Sequence, residues 1–352
     1  MLLVTLNYVP LDTTMSQPKR PTLQDVAELV GVTKMTISRY LRDPKQVSEA
    51  LHGNIKDALD QLGYIPNRAP DILSKARSQA IGVLLPSISN QVFSALIRGV
   101  ESVTEPAGYQ TLYAHFGYDM LIEEARVAMM LSFHVDGLIL SESHHTERTR
   151  RMIQTAGIPV VEVMETPDKP IDLAVGLDHT AAAREMTEAM IASGKRCIVY
   201  LAARLDSRTH QRIAGYRQAL GTAGLTAHLV ETEAPSTFTL GGKLADDALA
   251  RHPGLDALFC TNDDVAVGAM LACQQRGLRV PDDVAIAGYN ALDIGKALSP
   301  QLASVVTPRE AIGRVAAERL LGRLAGGDYP DRVVDLGYTL TLGGSVYAAN
   351  RA

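Results

Sequence analysis

The residues Lys34-Met35-Thr36-Ile37-Ser38-Arg39-Tyr40-Leu41 hold, within two helical turns, the side chains that a DNA groove asks for. Lys34 and Arg39 can donate to guanine, and Met35 can make only apolar contact, for example with a thymine methyl. Thr36 and Ser38, with Thr22 and Thr33 just upstream, are hydroxyls of the kind that hold phosphates and set register rather than sequence. A second group of residues, polar except for Phe93, is scattered along the chain near the ends of apolar runs: Ser87, Asn90, Phe93, Glu162, Arg208, Arg212, Asn262 and Asn290. Arginines with several amides and one carboxylate suit a polyhydroxylated ligand, because each buried hydroxyl needs a partner.

Both sets work only if particular elements position them. For the first, Leu23, Val26, Ala27 and Val30 have the spacing of the inward face of a helix, and Gly31 is suited to end it. Thr33 can cap a second helix that buries Ile37 and Leu41 and exposes Lys34, Met35, Thr36, Ser38 and Arg39. Ser48 to Leu62 predicts a third helix with Leu51, Ile55, Leu59 and Leu62 on one face and Ser48 as its cap. The plain alternative for 22–42 is a generic helical hairpin. From residue 80, short apolar runs alternate with helical stretches: 80–86, 109–114, 135–140 and 158–163, then 197–202, 257–260 and 284–288, with helices over about 90–107, 120–132 and 265–276. Continuous apolar strands alternating with helices predict parallel sheets covered on both faces. Two such series predict two doubly wound lobes, with ligands at the carboxyl ends of the strands and hence in a cleft between the lobes.

Charge is divided in the same way. Residues 18–78 carry ten Lys/Arg against seven Asp/Glu, residues 1–17 carry one Asp, and the remainder carries 24 against 31, so a chain of net charge −5 has a basic end at +3 and an acidic bulk at −7. That places cationic charge where phosphate would be met. Cys197, Cys260 and Cys273 lack metal spacing and are expected to be reduced thiols in a cytoplasmic protein. Residues 1–14 are apolar but lack a basic start and a cleavage motif, so they predict no signal peptide, and nothing is long enough to span a membrane. No phosphate-binding glycine loop, zinc motif or serine elbow is present, so no enzyme and no cofactor are expected. His144-His145 is expected in a solvated loop rather than on a metal. Asn262-Asp263-Asp264 lacks the twelfth-position acid of a calcium loop, and Asp263 or Asp264 is expected to cap a helix.

The three helices followed by Gly63-Tyr-Ile-Pro-Asn-Arg68-Ala-Pro-Asp-Ile-Leu73-Ser74 resemble the headpiece and hinge of the LacI/GalR family of bacterial transcription regulators. The resemblance runs to about residue 345. It implies an α-helical helix-turn-helix headpiece at 18–63, a hinge at 64–78, and an α/β two-lobed core at 79–345 similar to type I periplasmic binding proteins. The lobes would be about 79–177 with 308–334, and 178–307 with 335–347. Chains of this family usually begin near Met15, so residues 1–17 are expected to be a disordered tail or to precede the true start. By the same resemblance Asn67, Arg68 and Leu73 belong to the hinge and minor groove, Leu73 as a wedge that kinks DNA. The plain alternative is that 64–78 is only a linker. Family members hold a sugar or purine effector at positions matching the cleft residues, with the Arg before Ile-Ala-Gly (Arg212) and the Asn of Thr-Asn-Asp (Asn262) as regular anchors.

Two departures matter. Asn290 stands where many relatives carry Asp, and Thr307-Pro308 where an acid or amide is common, so the cleft loses negative charge and becomes hospitable to an anion. The strings Gly-Val-Thr-Lys-Met-Thr, Ser-Asn-Gln-Val-Phe and Val-Val-Thr-Pro-Arg-Glu resemble the branch that controls gluconate use, and gluconate or a related sugar acid is the expected effector; another sugar or a sugar phosphate stays open. The expectation is a cytoplasmic homodimer on a near-palindromic operator, a repressor released by its effector, with no membrane partner. A transporter's solute-binding protein would need a signal peptide and no headpiece.

Overall fold

The computed structural model describes residues 20–67 and 77–347. The chain divides after residue 76 into two units. The expected tail at 1–17 and the hinge residues Arg68 and Leu73 lie outside the described residues.

Among the described residues the first unit has three helices, α1 (Leu23–Val30), α2 (Lys34–Arg42) and α3 (Glu49–Leu62), with a short 3-10 turn at Pro44–Gln46. Thr22 starts α1 with a reciprocal capping box: its hydroxyl accepts from the Asp25 N–H, and the Asp25 carboxylate accepts from the Thr22 N–H at 2.6 Å. Each contact satisfies a donor that the first turn would leave unpaired. Gly31 ends α1 at φ 75°, a left-handed backbone that favours glycine. Thr33 then caps α2 by accepting from the Thr36 N–H. Val26, Ala27, Ile37, Ile55 and Ala58 are buried at the centre, with Leu23, Val30, Leu41, Leu51, Leu59 and Leu62 half-buried around them. Ser48 occupies the cap position of α3, but its side chain makes no capping hydrogen bond, so that expected contact is absent.

The second unit contains two six-stranded sheets. The first lobe runs β1 (Ala80–Leu85), α4 (Val92–Thr104), β2 (Gln110–His115), α5 (Met120–Ser132), β3 (Gly137–Leu140), α6 (Glu147–Ala156), β4 (Val160–Met164) and β5 (Leu173–Gly176). The second runs α7 (His179–Ala192), β6 (Ile198–Ala203), α8 (Ser207–Thr222), β7 (His228–Thr232), α9 (Phe238–Arg251), β8 (Ala257–Cys260), α10 (Asp263–Gln275), β9 (Ala285–Tyr289), α11 (Asp293–Ala297) and β10 (Ala303–Val306). Then follow α12 (Arg309–Leu324), β11 (Val333–Asp335), β12 (Thr339–Thr341) and α13 (Gly343–Val346).

The sheet orders are β11-β5-β4-β3-β1-β2 and β12-β10-β9-β8-β6-β7. All pairings are parallel except β10 with β12. After β10 the chain returns to the first sheet with β11 and leaves it again for β12, so three crossings join the lobes. Strand β6 explains the apolar runs. Ile198, Tyr200 and Ala202 face one core while Val199, Leu201 and Ala203 face another, and all six are buried. A strand covered on both faces has no polar side to alternate with.

In the first lobe α12 seats on α4 through glycines. A Cβ at Gly99 would lie 2.1 Å from the Glu310 carbonyl oxygen, and one at Gly313 would lie 2.1 Å from that of Leu96, so neither position has room for a side chain. The helix expected over about 90–107 is shorter, ending at Thr104, because Pro106 has no N–H with which to continue it. The interior strand β5 and the edge strands β7, β11 and β12 are too short or too polar to stand out in the sequence.

Candidate effector cleft and DNA-binding face

On the headpiece, Lys34, Met35 and Arg39 are exposed, and Met35 keeps 64% of its surface accessible. Thr36 and Ser38 are half-buried. The hydroxyls of Thr22 and Thr33 serve the caps of α1 and α2, and the Thr33 hydroxyl also lies 3.0 Å from that of Thr36. Asn67 is described; it ends the segment after α3.

In each lobe the strand order reverses about its first strand, β1 beside β3 and β6 beside β8, which is where open α/β sheets bind ligands. The turns after these strands meet in one cleft of ≈ 430 Å³, open solvent at its mouth included. The first lobe contributes Asn90, Phe93, Tyr118 and Met164; the second contributes Arg204, Arg208, Arg212, Asn262 and Asn290. Seven described non-glycine residues have left-handed φ, and four of them, Tyr118, Met164, Arg204 and Asn290, line this cleft. Such strain persists where surrounding structure imposes it, typically at functional sites.

Arg212 is buried on α8. Its Nη1 donates to the Thr261 carbonyl at 2.7 Å and its guanidinium lies 3.9 Å over the Tyr289 ring. Its Nε has no partner, and no carboxylate lies within ion-pair distance among the described residues. Tyr289 is held from behind. Burial, then Arg212 and Arg208, push His179 well below the usual histidine range, so its ring is neutral. Its Nε2–H donates to the Met164 carbonyl (2.9 Å), which leaves Nδ1 to accept from the Tyr289 hydroxyl (2.8 Å). Asn290 offers a buried Oδ1 without a partner, while its carbonyl accepts from Arg309. An unpaired buried donor and acceptor at one wall are costly unless a ligand completes them.

The sequence profile described as "Bacterial regulatory proteins, lacI family" matches residues 22–67, and that described as "Periplasmic binding protein-like domain" matches 187–346. The HTH-type transcriptional regulator GntR of Escherichia coli (strain K12) is 57% identical over 328 residues, 93% of this chain and 99% of that protein. The chain belongs to the lacI family. The HTH-type transcriptional regulator IdnR of Escherichia coli (strain K12) is 44% identical over the same shares of the two chains. The crystal structure of a LacI-family regulator from Silicibacter pomeroyi superposes with a TM-score of 0.87 at 33% identity, covering 93% of this chain and 99% of that one. This lacI-family chain is thus a helix-turn-helix transcription regulator with a two-lobed periplasmic-binding-protein-like core, not an enzyme. Among the described residues no helix is long and apolar enough to cross a membrane, and no group of His, Cys, Asp and Glu could hold a metal ion.

The other cleft expectations divide by geometry. Asn262 reaches the wall, yet its Oδ1 caps α10 through the Val265 N–H and its Nδ2 donates to Ser236. The cap is therefore Asn262, one residue before the expected Asp263 or Asp264. Asp263 instead is buried, accepting from Ser304 and the Leu292 N–H. Asn90 donates to the Tyr118 hydroxyl at 3.3 Å. Ser87 does not line the cleft; its hydroxyl accepts from the Asn90 N–H and shapes the turn before α4. Arg208 lines the cleft with its charge already met by Glu142 at 2.7 Å and Glu165 at 3.9 Å. Glu162 lies away from the cleft, since it sits two residues before the end of β4. Its carboxylate accepts from the Ile171 N–H and pairs with His145. Sequence reading missed Tyr118 and Arg204, whose guanidinium lies 4.0 Å over the Tyr118 ring of the opposite lobe.

His145 also overturns its expected solvated position. Its side chain is fully buried, with Nδ1 2.8 Å from Glu123 and Nε2 3.2 Å from Glu162. Burial opposes a charge on the ring, but the hydrogen bonds and charges of Glu123 and Glu162 outweigh it and push the pKa up to about 9. A folded pKa above the unfolded value gives stability that is fully present below about pH 6.5 and lost as pH rises through 9. Thermal unfolding from pH 6.5 to 9.5 is expected to show a falling Tm. His145→Ala is expected to remove that slope and cost about 3–5 kcal/mol, because two buried carboxylates lose their cation.

Proposed function

We propose that this regulator is a repressor that sits as a homodimer on a near-palindromic operator in the cytoplasm and is released when gluconate, or a closely related sugar acid, fills the cleft. The observation that carries the effector class is Arg212: a buried guanidinium with a free Nε, no carboxylate in ion-pair reach, and the unpartnered Asn290 Oδ1 on the same wall. A ligand for this pair must accept from a cation and donate to an amide oxygen, as a carboxylate on a polyol does. Asn290, in place of an acid, leaves that cation uncompensated. Resemblance to the gluconate-controlling branch of the family agrees with the charge argument.

In this reading Arg212, Asn290, Asn262, Asn90 and Phe93 form the effector site, Lys34, Met35 and Arg39 contact bases, and Thr22, Thr33, Thr36 and Ser38 contact phosphates. Asn67 opens the hinge. Effector binding favours one lobe arrangement over the other and so alters the spacing of the hinges. A difference of about 3 kcal/mol between arrangements changes operator affinity roughly a hundredfold. Arg204, a second guanidinium at the cleft without an ion pair among the described residues, favours a phosphorylated sugar acid as the alternative ligand. Calorimetric titration with gluconate, gluconate 6-phosphate and glucose tests both readings. Saturable micromolar binding of gluconate without glucose binding is expected. Binding of gluconate 6-phosphate alone selects the alternative, and binding of glucose alone contradicts the anion argument.

A further inference from the structure

Among the described residues Arg208 is the one cleft arginine with carboxylate partners, and both come from the opposite lobe. It projects from α8 of the second lobe. Its Nη1 donates to the Ser141 carbonyl at 2.8 Å and its Nη2 to Glu142 at 2.7 Å, just beyond β3 of the first lobe. Glu165, just beyond β4, stands 3.9 Å away on the other side. The Glu165 Oε2 accepts from Ser207 and Gln211 of α8, at 3.2 and 2.9 Å, and from Ser143 of its own lobe at 2.9 Å. Its Oε1 is buried without a hydrogen bond. The lobes are therefore joined beside the cleft by one guanidinium between two carboxylates, with the side chains 6%, 14% and 3% exposed in the order Arg208, Glu142, Glu165.

One cation cannot neutralise two buried carboxylates, so one of them must carry the cost of burial or a proton. The two are not equivalent. Glu165 accepts three hydrogen bonds from neutral side chains. Glu142 accepts one. We propose that Arg208 is a positioning residue rather than an effector ligand, and that with Glu142 and Glu165 it forms a latch between the lobes whose closure takes up a proton on Glu142. Burial pushes the Glu142 carboxyl up to about 7; Arg208 opposes the shift, and Glu165, Asp206 and Glu123 add to it. These are the charged groups that face it: Arg208 and Asp206 from the start of α8, Glu165 from the end of β4 and Glu123 from α5. His144 and Arg150 lie one residue further on, against Ser143.

The sign follows. Opening returns Glu142 to water and to the ordinary carboxyl range, so the open form releases the proton at neutral pH. Closure is then favoured by acid and weakened as pH rises through 7. For a closed-state value near 7 and an open-state value well below 6, the opening equilibrium rises about tenfold from pH 6 to pH 8 and then levels off.

The latch does not depend on which effector fills the cleft, so the first measurement omits effector. Hydrogen exchange of the full chain is followed at pH 6, 7 and 8, corrected for intrinsic rates, at the amides of 141–143 and 207–211. Native protein is expected to lose about tenfold in protection there between pH 6 and 8. Glu142→Gln is expected to be flat across this range, and Arg208→Gln to be poorly protected at every pH. A flat native profile, or a Glu142→Gln profile that falls like the native one, overturns the latch, as does an Arg208→Gln variant with native protection. A second measurement titrates gluconate in buffers of differing ionisation enthalpy near pH 7. A proton exchanged on binding by native protein, taken up if gluconate closes the latch and released if it opens it, and none exchanged by Glu142→Gln is expected; equal exchange in both contradicts the proposal. A protein that fails to bind gluconate at all sinks the effector assignment while the exchange result still decides the latch.

Discussion

Arg212→Ala is expected to weaken gluconate binding by roughly two to three orders of magnitude, about 3–4 kcal/mol, because it removes the charge-assisted hydrogen bonds of a buried guanidinium. The same substitution is expected to leave Tm unchanged or raise it. In the free protein Arg212 is a buried cation with one backbone acceptor, an aromatic face and no anion, so its removal relieves a cost rather than breaking a pair. A large affinity loss with no stability loss distinguishes a ligand-binding arginine from a structural one. Calorimetry and thermal unfolding on the same preparation read both quantities. Lys in place of Arg212 is expected to recover little, since an ammonium cannot present a planar fork over Tyr289.

Lys34→Ala and Arg39→Ala are each expected to cost about 1–3 kcal/mol in operator affinity and to narrow the gap between operator and unrelated DNA. Both side chains are exposed on α2 and neither contributes to the headpiece core, so effector affinity and Tm are expected to stay at native values. Thr33→Ala behaves differently. Its hydroxyl caps α2, so about 1 kcal/mol of headpiece stability goes with any phosphate contact. Fluorescence anisotropy with operator and scrambled duplexes at two salt concentrations separates the effects. Base-contacting residues change discrimination, and phosphate-contacting residues change the salt slope.

The headpiece was legible because its signals are local. Helical spacing of Val26, Ala27, Ile37 and Ile55, a glycine where φ must be positive and Thr at two caps all lie within forty residues. The alternation of strands and helices was legible for the same reason, and with it the cleft at the carboxyl ends of the strands. What the sequence hid depends on contacts between distant segments. Glu162 and His145 are separated by 17 residues and Glu123 and His145 by 22; only the packed lobe turns a loop histidine and two acids into one buried cluster. Tyr118 and Arg204 lie on opposite lobes, in left-handed conformations that no propensity signals. Arg208 and Arg212 share one helix face and look alike in sequence, and only their partners separate a paired arginine from an unpaired one.

The most direct test of the account asks whether the cleft controls the headpiece. Full-length protein is placed on a labelled operator near its Kd at physiological salt, and gluconate is added. Loss of anisotropy at micromolar to millimolar gluconate, absent with glucose and absent in Arg212→Ala, is the predicted result. An operator complex that gluconate leaves intact or tightens would contradict it.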